Sequence, residues 1–153
     1  MTNPGAGAWR AEIYKGHTED TELFKKYNKF YKKTTANFLE LNAIVEATKI
    51  VDPKIRLTIV HKSKYIDDII TKWIFQWEKR DFRTSNKEKL ANHDEIVKLN
   101  DIINNHNVRF IYTGRHTPIY ISICQLRAKE FLYRSIEKSS PIKIIETLIK
   151  NKK

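Results

Sequence analysis

Two tryptophans, Trp73 and Trp77, stand four residues apart and are followed closely by Lys79, Arg80 and Arg83. A spacing of four puts both indoles on one face of a helix. Such a pair either packs into a core or offers a platform for bases and sugars while the neighbouring cations meet phosphates. Spacing alone favours the core, and the cations beside it favour the platform. Other reactive groups are sparse. His17, His61, His93, His106 and His116 show no metal-ligand spacing. The single cysteine, Cys124, lies in an apolar helical context that suits packing better than nucleophilic attack. The sequence has no glycine-rich phosphate loop of the Walker or dinucleotide type.

These residues need elements to place them. Stretches 8–15 and 23–33, joined by Gly16-His-Thr-Glu-Asp-Thr21, read as a two-stranded hairpin. Leu39, Ile44, Val45 and Ile50 lie near helical spacing, and Asp52-Pro53 is expected to end that helix, because proline disfavours helical geometry in the residue before it. A buried strand is expected over 55–60 and helices over 63–70 and 71–80, with a polar interruption over 81–92. A helix over 94–105, a strand over 108–112 and a helix over 121–137 complete the core. Ser140-Pro141 then opens a short helix over 142–149, whose isoleucine stripe must cover something. The expected organisation is one domain over 1–137 with a C-terminal helical extension over 138–153.

Composition narrows the partners. The chain has 153 residues, enough to bury a sizeable core without crosslinks. Lys and Arg number 29 against 18 Asp and Glu, a net charge of +11, which suits a partner rich in phosphate. One cysteine allows no internal disulfide and fits a reducing compartment. No apolar run is long enough to span a bilayer, and Met1-Thr-Asn-Pro4 lacks the regions of a secretion signal. A soluble protein of the cytoplasm or an organelle matrix is expected, with no role at a membrane.

Several separated motifs, in order along the chain, resemble the type I ribonuclease H family. His61-Lys-Ser-Lys-Tyr65, between Ile55–Val60 and the amphipathic stretch Ile66–Trp77, is similar to the family's central segment, which carries Asp-Ser where this chain has Lys62-Ser63. Asn3-Pro-Gly-Ala-Gly-Ala-Trp9 resembles the glycine-rich first turn. Thr35-Ala-Asn-Phe-Leu-Glu-Leu41 is similar to the family's Thr-Asn-Asn-x-x-Glu-Leu. Residues 70–84 look like the helix and basic protrusion that grip a hybrid duplex, and Asn92-His-Asp94 matches an Asn-x-Asp helix start. Gly114-Arg115 stands where the family has Gly-His, and Cys124-Gln125-Leu-Arg-Ala-Lys129 where it has Cys-Asp-x-x-Ala-Arg.

The resemblance implies an α/β fold of the ribonuclease H type, a mixed central sheet flanked by helices, with the opening strand missing or truncated. It also implies four carboxylates holding two magnesium ions. Glu40 matches one. The first would fall upstream of Met1, Lys62 and Gln125 replace two more, and Arg115 replaces an assisting histidine. An ammonium about 4 Å from a divalent ion is repelled by roughly 8 kcal/mol at an effective dielectric of about 20. The expectation is therefore a pseudoenzyme without metal or cofactor, in which Lys62 and Arg115 bind phosphate directly or Lys62 pairs with Glu40.

The resemblance assigns Asn3, Thr35, Asn37, Lys62, Trp73, Trp77, Lys79, Arg80, Arg83, Asn92 and Arg115 to nucleic-acid binding. The expected function is a non-catalytic module binding RNA or RNA–DNA hybrid, as a structural part of an RNA–protein assembly such as an organellar ribosome. Two alternatives are a hybrid-cleaving, metal-dependent endoribonuclease with a remodelled site and a protein-binding module that uses the C-terminal helix.

Overall fold

The computed structural model describes residues 4–16 and 22–139. The expected hairpin turn and the C-terminal helix over 142–149 lie outside them. The chain divides into two units, Met1–Ala36 with Ile123–Lys153, and Asn37–Ser122.

The first unit is built on an antiparallel pair, β1 (Gly5–Lys15) and β2 (Glu22–Thr34), at the expected hairpin positions but longer at the outer ends. Register shifts between Gly5 and Gly7 and between Ile13 and Tyr14 mark bulges. Trp9, 5% exposed, stacks on Tyr27 at 6.1 Å between centroids. Helix α5 (Ile119–Ser139) contributes Cys124 and Arg127 to this unit. Arg127 Nη1 donates to both carboxylate oxygens of Glu12 at 3.1 Å, Arg10 Nε donates at 2.9 Å and the Tyr14 hydroxyl at 2.6 Å.

In the second unit α1 (Ala36–Thr48) buries Leu39, Leu41, Ile44 and Val45. It stops four residues before Asp52. Thr48 Oγ1 donates back to the Ile44 carbonyl at 2.6 Å, and turns at Ile50 and Val51 follow. Asp52 organises a turn instead, accepting from Lys54 N–H through its side chain and from Ile55 N–H through its carbonyl. Ile55 is thereby kept out of the sheet and stays 57% exposed, so β3 spans Leu57–His61 rather than starting at 55.

The two helices expected over 63–80 form one helical run: α2 (Lys64–Asp68), a π turn (Ile69–Trp73) and α3 (Ile74–Lys79). A single π turn inserts an extra residue without breaking the helix. Then come α4 (His93–Asn105) and β4 (Val108–Tyr112), which lies parallel to β3 with Leu57 opposite Val108 and His61 opposite Tyr112. Leu41, Ile44, Ile66, Ile69, Ile74, Ile96 and Leu99 form the buried cluster of this unit. Burying a side chain of this size contributes about 1.5–3 kcal/mol.

The α/β class and the flanking helices agree with expectation. The strands are hydrogen-bonded as an antiparallel pair and a parallel pair, and no described strand joins the two into a single sheet. Among the described residues no helix is long and apolar enough to cross a membrane.

Candidate nucleic-acid interface

The carboxyl ends of β3 and β4 bring several of the expected site residues together. Thr113 N–H donates to the His61 carbonyl at 3.0 Å, which keeps the two chains side by side as they leave the sheet. Lys62 and Arg115 follow, both exposed, with Gly114 between Thr113 and Arg115 at φ +59°, a turn conformation that suits glycine.

Ser63 has two bonds that sequence reasoning did not assign. Its hydroxyl accepts from Ile66 N–H at 3.0 Å, capping α2, and donates to Glu40 Oε2 at 2.5 Å. Glu40 makes no ion pair with Lys62 among the described residues. Burial pushes its carboxyl above the usual range, against the opposing pull of the Ser63 hydrogen bond. The three-residue step from Ser63 to Ile66 was a legible cap signal. The bond to Glu40, 23 residues away, had no sequence signal.

His61 is half-buried between Phe110 and Tyr112. Its Nδ1 accepts from Ser63 N–H at 3.2 Å, which leaves the ring proton on Nε2. Burial lowers its pKa, so the neutral ring is favoured. Among the described residues neither His61 Nε2 nor Thr113 Oγ1, both buried, has a hydrogen-bond partner.

A second cluster surrounds the tryptophans. Their rings are 5.6 Å apart, and Tyr65 meets Trp73 edge-on at 6.3 Å. Trp77 packs against the core cluster, while Trp73 is 36% exposed. The core reading holds for Trp77, and Trp73 is left partly open to solvent. The loop that follows is anchored. Phe82 N–H donates to the Trp77 carbonyl at 2.7 Å, and the Phe82 and Leu90 side chains pack on the core. Asp81 and Phe82 both have positive φ, and Arg83 pairs with Lys89 in an isolated antiparallel bridge. A fixed turn therefore presents Lys79, Arg80, Arg83 and Lys87 to solvent. Lys79 and Arg80 make no ion pair among the described residues, and Arg83 Nη1 donates to the Lys87 carbonyl at 3.3 Å.

Asn92 occupies the residue before α4 at φ +59°, but its side chain makes no cap. Burial raises the pKa of the Tyr65 hydroxyl, and the nearby Asn92 side chain opposes that rise. Asn37 is exposed near the start of α1, and Thr35 is half-buried between β2 and α1. Asn3 lies outside the described residues. Gln125 is exposed on α5, in the first unit. Cys124 Sγ donates to the Arg10 carbonyl at 3.5 Å, and burial pushes its thiol up to about 11, consistent with packing.

A family model described as RNase H matches residues 1–122. A protein named Ribonuclease H from Caldicellulosiruptor saccharolyticus is 37% identical over 133 residues, covering 85% of this chain and 88% of that protein. The chain belongs to the ribonuclease H family. Another member, from Novosphingobium aromaticivorans, is 34% identical over 114 residues, 74% of this chain and 76% of the relative. Among solved structures, a type 1 RNase H with the type 2 active-site motif aligns with a TM-score of 0.61 at 17% identity, covering 86% of this chain and 74% of that one. A foamy viral protease-reverse transcriptase in complex with RNA/DNA hybrid aligns at 0.57 and 15% identity, covering 82% of this chain and 19% of the other. Both likenesses show the same fold.

Family membership corrects the expectation that this ribonuclease H relative is a pseudoenzyme. Relatives at 31–37% identity over most of the chain carry enzyme names, and no observation shows activity lost. The expectation counted side chains at three motif positions, and such a count does not measure turnover. Among the described residues no three His, Cys, Asp or Glu side chains stand close enough to share an ion. The Glu40 carboxyl is also engaged by Ser63, and burial raises its pKa. The described donors do not fit the two-magnesium centre of the family.

Proposed function

We propose that this ribonuclease H-family chain binds RNA/DNA hybrid and that hydrolysis of the RNA strand is its reaction class. The binding half rests on one observation above all, the anchored turn over 80–89 that holds Arg80 and Arg83 outward just past Lys79 at the end of α3, in the helical run that also carries the partly exposed Trp73. Cations held in a fixed array meet consecutive phosphates without first ordering a loop, and an indole face packs on sugar or base. A net charge of +11 adds long-range attraction. The enzymatic half rests on family membership alone. Exposed Asn37 and Lys62 extend the same reading toward α1 and β3. The same cations also suit RNA inside an RNA–protein assembly such as an organellar ribosome, and competition between hybrid and duplex RNA separates the two settings.

The test is anisotropy of a labelled hybrid across a salt series, with RNA-strand cleavage followed in parallel in Mg²⁺. Affinity should fall linearly with log salt, and Arg80→Ala with Arg83→Ala together should reduce the slope by about 2. Salt-independent binding, or an unchanged slope in the double variant, overturns the binding half. Absence of RNA cleavage in Mg²⁺ by a hybrid-bound chain overturns the enzymatic half.

A further inference from the structure

We propose that the carboxyl ends of β3 and β4 form a phosphate seat, with Lys62 and Arg115 as its cations, that works without a divalent ion. The inference rests on the hybrid-binding reading and specifies how this site takes part in it.

Three observations converge. First, the two cations are close through the topology: β3 and β4 are parallel neighbours, Lys62 is one residue past His61, and Arg115 is three past its register partner Tyr112. Neighbouring strands lie about 4.8 Å apart, a span over which a lysine and an arginine leaving adjacent strand ends are long enough to meet one phosphate. Ligands of parallel sheets characteristically bind at this end of the strands.

Second, both cations are exposed, and neither forms an ion pair among the described residues. Their neighbour Lys64 differs, being held by Asp68 at 2.6 Å. The carboxylates that act on the neighbouring Ser63 and His61 are restrained. Glu40 is held by Ser63, and Asp67, which acts on His61 electrostatically, is half-buried in α2.

Third, among the described residues His61 Nε2 and Thr113 Oγ1, at these same two strand ends, are buried polar atoms without a hydrogen-bond partner. Buried polar atoms are nearly always hydrogen-bonded, so a pair of orphans at adjacent strand ends marks a place that an oxyanion, or a water it orders, completes. The Nε2 proton and the threonine hydroxyl are both donors of the kind an anion needs. A phosphodiester offers that anion in a nucleic acid.

The experiment compares hybrid binding in EDTA and in Mg²⁺ at matched ionic strength, for the unaltered chain, Lys62→Ala, Arg115→Ala and the protrusion variant Arg80→Ala. A second probe titrates inorganic phosphate while the backbone amides of residues 61–63 and 113–115 are followed by NMR. Expected are equal affinities in the two buffers, a salt slope smaller by about 1 for each of Lys62→Ala and Arg115→Ala, and saturable phosphate shifts confined to those amides. Binding that needs Mg²⁺ overturns the seat. So does full salt slope in Lys62→Ala and Arg115→Ala while Arg80→Ala loses slope, an outcome that leaves the hybrid reading intact. No hybrid binding in either buffer, with phosphate shifts present, overturns the hybrid reading and supports the seat. Absence of phosphate shifts overturns the seat.

Discussion

Removing the Ser63 hydroxyl should cost more stability at neutral pH than in mild acid. In Ser63→Ala the cap on Ile66 N–H disappears, a loss of about 1 kcal/mol. The Glu40 carboxylate loses its short donor, and hydrogen bonds to charged groups contribute about 1.5–3 kcal/mol. Glu40 is half-buried, so the lower end applies and the sum is about 2.5 kcal/mol at pH 7. The Glu40 pKa is raised in the folded chain. Its favourable contribution is therefore fully present below the unfolded value and is lost as pH rises through the folded value, where a charge must be held in a half-buried place. Ser63 moderates that loss, so without it the folded pKa climbs further. At a pH below both values Glu40 is protonated, and only the cap and a weaker neutral bond are missing. The assay is urea unfolding followed by tryptophan fluorescence at pH 7 and pH 4, with Glu40→Gln and the double variant completing a cycle. Equal destabilisation at the two pH values, or no coupling between positions 40 and 63, would refute the reasoning.

Other consequences are separable. Leu41→Ala, at a fully buried position in the core cluster, should destabilise by about 2–5 kcal/mol, read as a lower urea midpoint with unchanged slope. Burial alone would raise the Glu12 pKa, but hydrogen bonds from Tyr14, Arg10 and Arg127 hold it down to about 2. Its contribution is then present above about 4.5 and lost as pH falls toward 2, so Glu12→Gln should lower stability at pH 7 and flatten the acid limb of the stability profile. An acid limb as steep as that of the parent chain refutes this. With its thiol pushed up to about 11, Cys124 should react with a disulfide reagent at pH 8 far more slowly in the folded chain than in urea, and similar rates would show that burial does not protect it.

The hairpin and the strand over 108–112 were legible because their alternation and flanking turn residues are local. The helical run over 64–79 was legible as helix, but its π turn was not, since one inserted residue leaves the apolar periodicity nearly unchanged. Ile55 looked like strand until the Asp52 turn captured its N–H.

What the sequence by itself determined is the set of local preferences, the surplus of positive charge and the ordered motifs by which family membership could be read. Those depend on residue types and their spacing along one chain. Only the tertiary structure decided that Glu40 meets Ser63 rather than Lys62, that Trp77 packs on the core while Trp73 stays partly exposed, and that two polar atoms at the ends of β3 and β4 are buried without a partner among the described residues. Burial and long-range hydrogen bonding join residues tens of positions apart. The same glutamate can be an exposed helix residue, a metal ligand or a caged acid, according to what the fold sets beside it.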